Sequence, residues 1–106
     1  MADATLNTPR TRPSEAKYLV SGFSVSRLPA QAIITAAVVD ASDADIRTET
    51  FIAPHPQFPT ATLNGFLTAI GTARSGESGT VANRANYRVL GFLIDNGYIA
   101  GATLNA

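Results

Sequence analysis

His55 stands between Pro54 and Pro56 and is the one imidazole in a chain without cysteine. An imidazole acting as a general base needs a second polar group to orient it, and residues 54–59 offer no acid or hydroxyl to do so. A catalytic or metal role for His55 is therefore not expected. The functional use that remains for such a loop is presentation. Three prolines restrict the backbone in advance, so His55 and Phe58 could be held out as fixed contact points for a partner. With no Cys and one His, thiol catalysis, disulfide staples and Cys/His zinc sites are excluded.

Other groups invite chemistry and fall short of it. Asp40, Asp43 and Asp45 could offer oxygens to a hard cation. They lack the spacing, the glycine and the closing bidentate glutamate of a calcium loop, and Asp is a favoured turn residue; a plain turn is expected. Residues 74–80, Arg-Ser-Gly-Glu-Ser-Gly-Thr, lack the Gly-Lys-Ser/Thr ending that would supply charge and a metal-binding hydroxyl to a phosphate loop. They also miss the spacing of a nucleophile elbow, so a linker is expected. Arg84 and Arg88 are four residues apart and would share a helix face, where they could grip phosphates or a carboxylate of another subunit. Arg10 and Arg12 make a second, weaker basic site near the start. As a nucleic-acid surface this is thin, because useful affinity takes many phosphate contacts. Of Tyr87, Phe92 and Tyr98, two are expected to be substantially buried rather than displayed.

These residues sit in 106 residues whose eight Lys and Arg balance eight Asp and Glu. A zero net charge argues against a polybasic nucleic-acid binder and against an acidic mimic. Only 15% of residues are charged, and 18 Ala and 12 Thr take their place. Such a surface has little charge repulsion to oppose association. The length suits one domain with one core. The first residues show no apolar core of a secretory signal, and no apolar stretch is long enough to span a bilayer as a helix. A soluble protein made in the cytoplasm is expected.

Residues 1–16, with Pro9 and Pro13 and no hydrophobic period, are expected to be an extended arm, and residues 100–106 a tail. Between them residues 17–99 form the domain. Leu19, Phe23 and Val25 alternate with Gly22, Ser24 and Ser26, the pattern of a strand with one buried face. Residues 32–39 are β-branched and apolar on both sides, as in a central strand. Residues 46–52 alternate weakly, with Arg47, Glu49 and Phe51 on one face, and suit an edge. Leu63, Phe66, Leu67 and Ile70 mark one helix, N-capped by Thr60 or Thr62. Thr80 caps a second helix, with Val81, Ala85, Val89, Phe92 and Leu93 on one stripe and Tyr87, Leu90 and Ile94 on another. Gly97 closes it in the left-handed conformation. The expected fold is α+β, a three-stranded antiparallel sheet followed by two C-terminal helices, with an extended N-terminal arm. The tetrapeptide Ala-Thr-Leu-Asn recurs at 4–7, 61–64 and 102–105. Its unequal spacing is not that of a structural repeat.

Two helices on one face of a small sheet leave its other face open, and that surplus calls for another subunit. Thr-Pro-Arg-Thr-Arg-Pro at 8–13, Pro-His-Pro-Gln-Phe-Pro at 54–59 and Asn-Tyr-Arg-Val-Leu-Gly-Phe-Leu at 86–93 carry a likeness of organisation and composition. In these the chain resembles small virion proteins of tailed bacteriophages. The resemblance implies a non-enzymatic particle subunit, located in the virion, that meets itself and other particle proteins. It implies no cofactor, no metal, no small-molecule substrate and no membrane partner. A second resemblance is to coat proteins of single-stranded RNA phages, which run sheet first and helices last, dimerise through the sheet and bind nucleic acid. The expected sheet is short for that family and lacks its Lys/Arg cluster. A third possibility is an adaptor or inhibitor that offers the proline loop to a host protein.

Overall fold

In the computed structural model, which describes residues 1–11 and 14–106 and only the backbone of residues 10 and 11, seven elements follow in order. They are β1 Asp3–Thr11, β2 Ser14–Arg27, β3 Ala30–Val39, β4 Asp45–Ala53, α1 Leu63–Gly71, α2 Val81–Asp95 and β5 Ala102–Asn105. The strands form one antiparallel sheet in the order β4-β3-β2-β1-β5. The α+β class, the antiparallel meander and the two helices after it match expectation. The sheet has five strands, not three.

Both additional strands come from segments expected to be arm and tail. β1 alternates buried Ala4 and Leu6 with Asp3, Thr5 and Asn7, but alanine gives so weak a hydrophobic signal that the alternation passes unnoticed. β5 is four residues long, too short to show a period. The recurrent tetrapeptide turns out to hold them together. Its first and last copies pair antiparallel, with Ala4 opposite Leu104, Thr5 opposite Thr103 and Leu6 opposite Ala102. Each leucine faces an alanine, so this sequence is complementary to itself in reverse. Asp3, Thr5, Asn7, Thr103 and Asn105 join in a side-chain hydrogen-bond ladder on the opposite face, at 2.6 to 3.0 Å.

The faces of β2 differ from the simple alternation as well. Against β3, Val20 lies opposite Ala36 and Gly22 opposite Thr35, so Ser21 is an extra residue, a β-bulge. One inserted residue inverts every later side chain. Tyr18 and Val20 before the bulge, and Phe23 and Val25 after it, therefore lie opposite Val38, Ala36, Ile34 and Ala32, all fully buried. Leu19, expected beside Phe23, points to the other side of the sheet.

The helices cover the face that carries Ala32, Ile34, Ala36 and Val38. Thr62 and Thr80 are their N-caps, accepting from the N–H groups of Gly65 at 2.9 Å and Asn83 at 3.1 Å. α2 ends at Gly97, whose φ is +84°. The Gly97 N–H donates to Ile94 and the Tyr98 N–H to Leu93, the two bonds that recover orphaned carbonyls at a helix end. Phe66 of α1 and Val89, Leu90, Phe92 and Leu93 of α2 are buried in the core, whereas Val81 is exposed. Phe66 meets Phe23 on one side and Phe92 on the other, edge to face.

Candidate functional site

The sequence-derived candidates are not brought together. The Nδ1 of His55 accepts the Gln57 N–H at 3.1 Å, and its ring lies beside those of Phe58 and Tyr98. The described hydrogen bonds of His55, this one and that of its carbonyl with the Phe58 N–H, are thus spent within its own loop. Phe58 packs on Tyr98 with centroids 4.3 Å apart and is half-buried, so it is part of the fold's periphery rather than a side chain held out to a partner. The Tyr98 hydroxyl donates to the Ile52 carbonyl at 2.5 Å, and burial raises its pKa above the usual phenol value. Of the three aromatics, two of which were expected to be substantially buried, Tyr87 and Phe92 are buried and Tyr98 is half-buried.

Arg84 and Arg88 share α2 but not a role. Arg84 is exposed. Arg88 is bound to Glu77 through Nε and Nη2, both at 2.7 Å, and donates from Nη1 to the Ile70 carbonyl at 2.9 Å. Its fork closes the C-terminal end of α1 rather than reaching outward. The carboxylate of Glu77, held by Arg88 and by the Arg74 N–H, has its pKa lowered to about 2. Arg10 contributes its backbone to β1, opposite Glu15; Arg12 lies outside the described residues.

The Asp turn has an internal explanation. The Oδ1 of Asp40 accepts from the N–H and hydroxyl of Ser42 and from the Ala44 N–H, bonds that lower its pKa. Asp43 pairs with Lys17. Among the described residues no cluster of three or more His, Cys, Asp or Glu could hold a metal ion. A groove of about 390 Å³ between the helices is lined by Thr68, Thr72, Arg74, Arg88, Phe92 and Asp95 among others. Its cations are already matched: Arg74 forms a forked pair with Asp95 at 2.8 and 3.1 Å, and Arg88 holds Glu77.

The open sheet face was expected from the sequence, but its residues were not among the candidate site residues. The face away from the helices carries Leu19, Ile33, Thr35 and Ala37, all half-buried, with exposed Thr48, Thr50 and Ile52 on β4. β4 is one edge of the sheet and β5 the other. On its helix-side face, Arg47 binds Glu15 through Nε at 2.8 Å and Nη2 at 3.3 Å, and Glu49 through Nη1 at 3.3 Å. The second oxygen of Glu49, Oε2, is buried without a hydrogen-bond partner. Arg47 and Glu49 were legible as a pair on one face of an edge strand, but not the orphaned oxygen, which depends on how Arg47 of β4 divides its donors between Glu15 of β2 and Glu49. No helix among the described residues is long and apolar enough to cross a membrane. No family model, curated protein or solved structure matches the chain.

Proposed function

We propose that this chain is a non-enzymatic structural subunit of a virus-like particle of the bacteriophage type, built in by repeated contacts between copies as coat, decoration or connector. The observation that carries the reading is the one-sided covering of the sheet. Two helices cover most of one face, leaving Phe23 and Val25 exposed, while the other keeps Leu19, Ile33 and Ala37 half-buried among threonines and serines. A chain with zero net charge and 15% charged residues offers little repulsion against a neighbour placed there. The residues that could do chemistry are engaged in holding the fold, as Arg88, Glu77 and Asp40 are.

The second reading, a coat protein like those of single-stranded RNA phages, gains from one feature. Four strands in antiparallel succession precede the two helices, and a fifth completes the sheet, more than a three-stranded sheet would have offered it. On the open face Lys17 is engaged by Asp43, which speaks for protein contacts there before nucleic-acid contacts. The adaptor reading loses support because Phe58 is packed on Tyr98.

Electron microscopy of the full chain, purified and concentrated, tests the proposal. Rings, shells or ordered arrays of repeated subunits are expected. Dispersed monomers at every concentration would contradict it. Salt-sensitive binding of RNA by the same preparation, weakened by Arg84→Ala, would move the coat-protein reading to first place.

A further inference from the structure

We infer that the groove between α1 and α2 is a binding site for a neutral, hydroxyl-rich ligand of saccharide type, held by the Arg74–Asp95 pair and Asn96. The inference does not depend on self-association and uses none of the open face of the sheet. The groove measures about 390 Å³, within the range of about 300–1,000 Å³ usual for small-molecule sites. Gly65, Ala69 and Phe92 give it an apolar lining, to which Thr68 and Thr72 add hydroxyls.

Charge decides which class of ligand fits. Arg74 is neutralised by Asp95 at 2.8 and 3.1 Å, and Arg88 by Glu77 through two bonds of 2.7 Å. A phosphate or carboxylate would have to displace a carboxylate already held in a fork, and a cation would meet two guanidinium groups. A purely apolar guest would strip these polar groups of water and pair them with nothing. A neutral hydroxyl avoids all three costs, since it donates and accepts at once. A sugar ring also presents C–H faces, which suit the lining of Gly65, Ala69 and Phe92.

The hydrogen-bonding groups are in place and held. Each Asp95 oxygen takes one Arg74 N–H in the described bonds and has capacity for a second donor. Nη1 and Nη2 of Arg74 each keep another N–H. Asn96 donates from Nδ2 to the Phe92 carbonyl at 2.9 Å, which leaves its Oδ1 as an acceptor at the groove. Neighbouring hydroxyls of one ring can therefore donate to Asp95 and accept from Arg74. The independent observation is Gly91. A Cβ there would stand 2.5 Å from Arg74 Cζ, so the guanidinium is seated where only a glycine leaves room. Glycine weakens a helix interior relative to alanine, and in α2 what it admits is this arginine. A donor seated in advance loses little freedom on binding.

Saturation-transfer difference NMR tests this on the full chain in whatever assembled state it adopts. The probes are D-glucose, D-galactose, N-acetyl-D-glucosamine, maltose and lactose at millimolar concentration. Transfer to the ring protons of at least one sugar is expected with the native chain. Gly91→Ala favours the helix but drives Arg74 from its seat, and Asp95→Ala removes the paired acceptor. Each is expected to weaken binding about tenfold or more with far-UV dichroism unchanged. Equimolar inorganic phosphate is expected to leave the transfer as it was. No transfer from the native chain to any of the sugars, or transfer undiminished in either variant, would overturn the proposal. Displacement by phosphate would overturn the neutral class of the ligand.

Discussion

Glu77 joins a loop to two helices. Its oxygens accept twice from Arg88 and once from the Arg74 N–H, while Arg88 reaches on to the Ile70 carbonyl. The carboxylate titrates near 2 in the fold against an ordinary 4.5. Because the folded value is the lower one, the contribution to stability is complete above pH 4.5 and is lost as pH falls from there towards 2. Glu77→Gln is therefore expected to unfold less steeply over that window than the native chain and to be less stable at neutral pH, as acid titration followed by circular dichroism would show. Gly76 lies beside this junction with φ +94°, and a Cβ there would stand 2.5 Å from the Tyr87 hydroxyl oxygen. Backbone strain and the displaced hydroxyl, which now donates to the Ser75 carbonyl, should make Gly76→Ala less stable by about 1–3 kcal/mol in chemical denaturation. Phe66→Ala, which empties the space between Phe23 and Phe92, is expected to cost about 3–5 kcal/mol.

At the scale of elements, the Ser21 bulge decides which way half a strand faces. Deleting Ser21 should remove the bulge and leave Phe23 and Val25 facing the helices, because Val20, Gly22 and Phe23 then alternate in step with Ala36, Thr35 and Ile34. The expected result is near-UV dichroism and cooperative unfolding like the native chain's, whereas deleting both Ser21 and Gly22 turns Phe23 and Val25 outward, away from Phe66, and should lose both. The same residue shows where the sequence stops being informative. Thr62, Thr80 and Gly97 announce themselves because capping and helix closure are local and chemically specific. A bulge is set by the partner strand, and nothing in the residues around Ser21 marks it beyond Gly22. β1 and β5 stayed hidden because Ala4, Leu6, Ala102 and Leu104 become apolar partners only once chain positions almost a hundred residues apart are paired. The alternation of Arg47, Glu49 and Phe51 in β4 was readable, and so was its place at an edge; the unmatched oxygen of Glu49 was not, since Arg47 divides its donors between Glu15 and Glu49.

For the whole molecule, charge balance and one-sided packing point the same way. The ion pairs of Glu77, Asp95 and Asp43 tie loops to the helices and the sheet, and the sheet is left with an open face and a β4 edge. An association that relies on apolar contact and strand pairing should persist at moderate salt, since screening acts on exposed charges and little on buried contacts. Binding to nucleic acid through Arg84 would instead fall steeply with salt. The most direct measurement is sedimentation velocity of the full chain over a wide concentration series, at low and at moderate salt. The account predicts a species of at least twice the 11.1 kDa chain mass, gaining population with concentration and retained at moderate salt. A single 11.1 kDa species at every concentration would contradict it.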